Sequence, residues 1–417
     1  MNYNEAVEYI TKKSKFGSKY GLDTMRKLLD KLGNPEKELQ FVHIAGTNGK
    51  GSTLAYLSSI LRCADYKVGS YASPSVFSYN ERFMINGNNI ENDELAELFG
   101  VVKKAADELS ECGIEPTAFE IETAVAFMYF FKNRCDLCVI ETGLGGRLDA
   151  TNVIKNKLLA VITEIGFDHM QILGNSLEQI AKEKLAIADG CPLCTVMQKK
   201  EIMPLFVNHL MTYFATGFKG KEYSLDGQLF EFENEDYFIR LIGDHQIQNA
   251  SLAVLAAKVL NDNGVFISKD AIHRGLIETV WHGRFEVFKR GGNVFVLDGA
   301  HNADGAVALS RTVKKYFKNE KVGGVVATFA DKDYVTTVKT FATCFDEIRA
   351  INAEGDRALD KVKLYETAKD YCRASIGDSL EESILNMAKK YKTVVVCGTL
   401  SVLRNARSVI ENYDRQK

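Results

Sequence analysis

The sequence predicts an α/β fold in two parts: a P-loop parallel-sheet domain, then a smaller, doubly wound, Rossmann-like C-terminal domain. Three observations carry that expectation. Phe41-Val42-His43-Ile44 is apolar and β-branched, glycines at 46, 49 and 51 break it into a loop, and residues 54–61 then take helical apolar spacing. Continuous apolar runs recur at 135–140, 158–163 and 192–197, as strands buried in a parallel sheet require. Beyond residue 294, strand-like and helix-like segments alternate, the pattern of a doubly wound sheet.

Taken in order, residues 4–32 read as one or two amphipathic helices interrupted near 16–21, and Asn34-Pro35 stops the second before the first strand. After the loop and its helix, 67–72 is a short strand ending at Ser73-Pro74. The polar stretch 80–92 is expected as a hairpin or a long loop over the site. Residues 93–109 are helical, and 119–131 is apolar enough for its helix to be buried. The run 135–140 delivers Glu141, 158–163 delivers Asp168-His169 shortly after, and 176–189 is a helix before the strand at 192–197. Residues 219–241 alternate apolar with polar around Asp226-Gly227, which predicts small antiparallel strands; 244–261 and 268–278 are helices.

Composition changes at 285–293, where Arg290-Gly291-Gly292 separates two structured regions. The expected domains are therefore 1–286 and 287–417. The second runs strand (294–297), helix (303–316), strand (323–328), helix, strand (347–351), helices, strand (393–397), helix.

A chain of 417 residues exceeds what one core comfortably organises, and 46% hydrophobic with 26% charged residues is the composition of a soluble enzyme. A net charge of -3 gives no electrostatic case for nucleic acid. Residues 1–20 are polar and lysine-bearing, without the apolar run of a secretory signal, and no stretch could span a membrane, so a cytoplasmic protein is expected. Among the nine cysteines, Cys135/Cys138 and Cys191/Cys194 have zinc-like gaps. Positions three apart on a strand face opposite sides, however, and reduced, mostly buried thiols are expected instead.

Gly46, Thr47, Asn48, Gly49, Lys50, Gly51 and Ser52 form a phosphate cradle. Glycines let backbone N–H groups approach an anion, the following helix adds the positive end of its dipole, and Lys50 reaches the outer phosphates. The loop is a tighter variant of the usual pattern: Ile44 stands where the first Gly would be, and Gly51 intervenes before Ser52. Ser73, Glu141 and His169 each follow a strand of the same predicted sheet, at the edge where such sheets bind ligands. Hard oxygens with one imidazole suit Mg2+ held mainly through substrate phosphates. Taken singly, Glu141 could be a solvated strand-end carboxylate and His169 a helix cap. Gly143-Leu144-Gly145-Gly146-Arg147-Leu148 only half fits a dinucleotide fingerprint, since Leu148 falls where the third Gly belongs. In the second domain Asp298 and His301 follow a strand and face any ligand between the domains; a turn with a capping Asp is the plainer alternative.

An ordered series along the chain resembles the folylpolyglutamate synthase and dihydrofolate synthase family, within the wider Mur ligases. It comprises Asn34-Pro35, residues 45–52, Ser73-Pro74, Asn80-Glu81-Arg82, residues 141–152, Asp168-His169, Glu183-Lys184, His245-Gln246 with Asn249, Gly283-Arg284, residues 298–302 and Lys332-Asp333. The resemblance implies a Mur-ligase-like ATP-binding domain and a C-terminal ligase domain. It implies that the loop holds ATP, with Lys50 and His169 catalytic and Ser73, Glu141 and His169 ligating Mg2+. Asn249, Arg284, Asp298 and His301 are implied as further ATP contacts. Lys184 is implied as a carbamoylated lysine with a catalytic part, the alternative being a helix-surface lysine. A pterin pocket is implied from Tyr20, Gly21, Leu22, Thr117, Ala118, Phe119, Glu120, Leu148, Asp149 and Ala150.

The implied reaction is ATP-dependent ligation of L-glutamate to folates, and to dihydropteroate, through an acyl phosphate. A cleft between the domains would exclude water from that intermediate. A monomer is expected, with folate or dihydropteroate and L-glutamate as its partners. A muropeptide ligase would need a uridine-nucleotide domain ahead of the loop, where only forty residues stand. A nucleotide switch that ligates nothing would release phosphate without folate or glutamate.

Overall fold

The strand that opens the phosphate loop lies inside an eight-stranded sheet in the computed structural model, which describes residues 1–14 and 21–415. Its strands are Phe41–Ala45 (β1), Val68–Tyr71 (β2), Phe83–Ile85 (β3), Asn88–Asn89 (β4), Leu137–Glu141 (β5), Lys157–Ile162 (β6), Leu193–Val196 (β7) and Thr212–Ala215 (β8). The order is β4-β3-β2-β5-β1-β6-β7-β8. From β2 to β8 every pairing is parallel, and the β3–β4 hairpin adds an antiparallel edge. β2, β5, β1 and β6 are consecutive neighbours, so four adjacent carboxyl ends deliver Ser73, Glu141, the loop, and Asp168-His169 to one edge.

β1 and β5 are buried at every position, which is why they read as unbroken apolar runs. One face is covered by the helices Tyr3–Ser14, Asp23–Lys31, Asn92–Glu111 and Ala118–Lys132, with Met25, Leu28, Phe99, Phe127 and Phe130 in the packed layer. Phe127 meets Phe41 of β1 edge-on at 5.5 Å, and truncating either ring to Ala should cost about 3–5 kcal/mol. Thr117 begins the Ala118–Lys132 helix with a full capping box: its hydroxyl accepts from Glu120 N–H, and Glu120 reaches back to the Thr117 amide. The helix Leu177–Leu185 contributes Leu177, Ile180 and Ala181 to a second apolar cluster with Ala45 and Ile162. Lys50–Cys63 packs so closely on Lys269–Glu278 that a Cβ on Gly275 would lie 2.4 Å from Ile60 Cα.

Residues 219–241 form the expected small strands, Lys219–Ser224 (β9), Gly227–Phe232 (β10) and Glu235–Ile239 (β11), in the order β11-β10-β9. A separate six-stranded sheet follows: Glu286–Arg290 (β12), Asn293–Leu297 (β13), Val322–Val326 (β14), Glu347–Ala350 (β15), Arg373–Ile376 (β16) and Thr393–Cys397 (β17), in the order β12-β13-β17-β14-β15-β16. It is parallel except for β12, with Val296, Val326, Ile348 and Val395 in its core beside Leu309, Phe341 and Leu364 from the helices.

The chain divides into two compact units, residues 1–218, 232–237 and 248–279 in the first, and 219–231, 238–247 and 280–417 in the second. The sequence reading put one cut at 286/287. Three further differences have local causes. The stretch 285–293 is not a separator: β12 and β13 form a hairpin, with Gly291 and Gly292 both at positive φ (55° and 84°) in its two-residue turn. β16 (Arg373–Ile376) sits within a stretch expected as helices, because an edge strand with exposed ends lacks the apolar run of its neighbours. β8 was not expected: at the sheet edge only Ala215 of its four residues is buried, so it lacks the apolar run of its neighbours. No helix among the described residues is long and apolar enough to cross a membrane.

Candidate active site

Gly49 caps the helix Lys50–Cys63 in the left-handed region (φ 87°), and a Cβ there would lie 2.3 Å from Asn249 Oδ1. Gly46 (φ 150°) is as constrained, since its Cβ would overlap Thr163 Oγ1 at 1.8 Å. Both glycines let the loop lie against neighbouring elements, and Asn249, from the helix Asp244–Asp262, is brought onto the loop itself. Lys50 Nζ donates to the Thr47 carbonyl at 3.2 Å and stands 3.7 Å from Glu141 Oε1. The Glu141 side chain is only 6% exposed, so this carboxylate is buried beside a cation and is not a solvated strand end.

Lys184 is buried, not a surface lysine of its helix. Its Nζ donates to the Gly46 carbonyl at 2.7 Å, joining residues 138 apart. Burial first, then the Lys50 charge, lowers the Lys184 pKa from 10.5 to about 7, against the opposing pull of Asp168, Asp149 and Glu141. Its helix reaches the loop because Gly146 has no side chain: a Cβ there would lie 2.6 Å from the Glu183 carbonyl, which accepts from Arg147 N–H at 2.8 Å. Gly46, Thr47, Lys50, Asp168, His169 and Lys184 all line one small cavity. His169 takes the N-cap position of the short helix Met170–Leu173, at φ 49°, without capping it through its side chain, which is 46% exposed.

A second cavity, of about 300 Å3, shares Gly143 and Leu144 with the first. Gly21, Thr117, Phe119, Glu120, Leu148, Asp149 and Ala150 line it, together with Ser73, Pro74 and Arg82. Asp149 is held on both oxygens, Oδ1 accepting from Thr151 N–H and Oγ1–H and Oδ2 from Leu144 N–H at 2.8 Å; burial raises its pKa. Because the Thr151 hydroxyl donates to Asp149, it accepts from His43 Nε2–H at 2.8 Å. Leu22 and Ala118 pack against the apolar core and are not among the lining side chains; Tyr20 lies outside the described residues.

In the second unit, Arg284, Asp298 and His301 gather at the carboxyl end of β13. Asp298 accepts from Phe285 N–H and Ala300 N–H, each at 2.8 Å, and so braces the turn carrying Arg284, where Phe285 sits at φ 45°. Burial raises the Asp298 pKa, with the Arg284 charge opposing. A Cβ on Gly299 would meet Arg284 Nη1 at 2.6 Å. His301 Nδ1–H donates to the Gly299 carbonyl at 2.8 Å, which leaves Nε2 as the acceptor nitrogen.

Two family models match the chain: the Mur ligase middle domain over residues 44–257 and the Mur ligase, glutamate ligase domain over 283–400. The chain belongs to the Mur ligase family. It is 39% identical to the dihydrofolate synthase/folylpolyglutamate synthase of Bacillus subtilis, over 97% of this chain and 98% of that one. The folylpolyglutamate synthase of Thermotoga maritima superposes with a TM-score of 0.85 at 32% identity, covering 99% and 97% of the two chains. Escherichia coli FolC, solved in complex with DHPP and ADP, does so at 0.85 and 26% identity, over 99% and 98%. Within the Mur ligases, this chain is therefore of the folylpolyglutamate synthase/dihydrofolate synthase kind, an ATP-dependent ligase. Two lining residues, Arg82 and Asp168, had no role in the sequence reading although both fall in the motifs that carry the resemblance to this Mur ligase branch. Their neighbours Ser73 and His169 were the available signal.

Proposed function

We propose that this ligase adds L-glutamate to folates and to dihydropteroate, with ATP activating the acceptor carboxylate as an acyl phosphate. The observation that carries the reading is the pair of cavities sharing Gly143 and Leu144, one on the phosphate loop and one on Phe119 and Asp149. A nucleotide in the first and a pterin in the second bring phosphate and carboxylate to a common wall. The Escherichia coli relative solved with both DHPP and ADP supports that pairing.

In this reading the amides of Thr47, Asn48, Gly49 and Lys50 and the dipole of the helix Lys50–Cys63 receive the phosphates, and Lys50 Nζ neutralises the outermost. Asn249 stays against Gly49 to contact the nucleotide. Glu141 fits a magnesium site, being a buried, hard oxygen donor beside Lys50; it would hold the ion with Ser73 and His169. Magnesium, when bound, supplies charge neutralisation to the phosphoryl group in transfer. Lys184 reacts with carbon dioxide because its buried amine is in good part neutral near pH 7; the carbamate then offers oxygens that brace the same site. We place the enzyme in the cytosol as a monomer, which size-exclusion against standards checks.

The test is direct. The protein is incubated with ATP, magnesium and glutamate, each of dihydropteroate, dihydrofolate and tetrahydrofolate is offered separately, and the products are weighed. One added glutamate on dihydropteroate and one or more on a folate is expected. ATP consumption with no change in pterin mass would overturn the reading.

A further inference from the structure

Arg82 lines the second cavity, yet neither the phosphate site nor the pterin residues account for it. It closes the turn Tyr79–Arg82, and its carbonyl accepts from Ala72 N–H, which sets it next to Ser73 across the β2–β3 ladder. Nη1 donates to Glu122 Oε2 at 2.9 Å, Glu122 Oε1 accepts from the Tyr79 hydroxyl at 2.6 Å, and the guanidinium lies 5.0 Å over the Tyr79 ring. Glu122 is 8% exposed and Arg82 19%. The hydrogen bond to Glu122 uses Nη1 alone, and Nε is buried with no acceptor among the described residues. A planar guanidinium held by one partner at a cavity wall, with donors to spare, is built to receive an anion.

The cavity decides which anion. Glu120 and Asp149 also line it, and Glu122 stands behind Arg82, so a multiply charged phosphate is repelled where a single carboxylate is tolerated. A folate ends in a glutamate with two carboxylates, one to be phosphorylated and one not; dihydropteroate has only the first. Pairing with a guanidinium makes a carboxylate oxygen a poorer nucleophile towards phosphorus, which argues against Arg82 on the reacting group. We propose that Arg82 binds the non-reacting carboxylate of a folate's terminal glutamate and is a specificity determinant for extending folates over forming dihydrofolate. This rests on the reading of the cavity as the pterin site.

Removing Arg82 alone strands a buried Glu122, so the test is the pair Arg82→Gln/Glu122→Gln against Glu122→Gln alone. The probes are dihydrofolate and dihydropteroate, which differ by one glutamate; if only one is turned over, the other is read as its competitive inhibitor. The ratio of kcat/KM, or of inhibition constants, for dihydrofolate over dihydropteroate should fall about tenfold or more in the double variant and not in Glu122→Gln. A ratio unmoved in the double variant, or lowered equally in the single one, overturns the proposal and leaves the ion pair a structural brace. Failure of the cavity reading shows separately: Phe119→Ala would then leave KM for both pterins unchanged.

Discussion

At the scale of single residues, the charges around the loop are set by burial. Burial, with the Lys50 charge, lowers the Lys184 pKa to about 7, so its neutral fraction rises steeply between pH 6 and pH 8. Only the neutral amine takes up carbon dioxide. At fixed dissolved carbon dioxide, a labelled-carbon carbamate signal should therefore grow from pH 6 to 8 and vanish in Lys184→Ala. That variant should fold but be nearly inactive, with a short added carboxylate restoring part of the rate; no signal in the parent and a fully active variant would retire the modification. Lys50→Ala should lower ligation by about two orders of magnitude or more; because it also takes the cation from the buried Glu141, circular dichroism at the assay temperature accompanies the rate measurement. Glu141→Gln keeps shape and loses the anion, so the magnesium concentration for half-maximal rate should rise about tenfold. Superimposable magnesium titrations of variant and parent would mean that Glu141 holds no ion.

At the scale of elements, β1 carries the loop and a buried titratable group together. Burial first, and Lys157 second, lower the His43 pKa from 6.5 to about 3. Above pH 6.5 the imidazole is neutral in folded and unfolded chains alike. As pH falls below 6.5 the unfolded chain binds a proton that the folded chain refuses, so stability is lost progressively towards pH 3. His43→Gln can still donate to Thr151, so its urea midpoint should fall less than the parent's between pH 6.5 and 4. Parallel curves would show that His43 is not the acid-labile group of the strand.

At the scale of the whole molecule, the eight-stranded and six-stranded sheets fall in different units with separate cores, and the phosphate loop belongs to the first. A ligand that binds only the folded state stabilises it by about 2.7 kcal/mol at a hundred times its Kd. A non-hydrolysable ATP analogue should raise the urea midpoint by a matching amount and slow amide exchange in β1, β5 and β6. The shift should shrink in Lys50→Ala. No shift in the parent at millimolar analogue would remove the loop from nucleotide binding.

The sequence by itself determined the features written locally: the glycine loop, the buried parallel strands, and therefore Glu141 and Asp168-His169 just past strand ends. Periodicity and turn chemistry act over a few residues, so one chain is enough to read them. Only the tertiary structure decided what those residues do to one another. By residue type alone Lys184 is a helix lysine, its modification being implied only by the resemblance, and Arg82 is a turn cation; the fold sets Lys184 Nζ on a carbonyl 138 positions away and Arg82 Nη1 on a carboxylate 40 positions away. Polarity and burial conflict at both positions. Such conflicts are resolved by partners that approach in space, and in a cavity where charge is costly the partner decides whether a cation is neutralised, shifted or left to bind substrate.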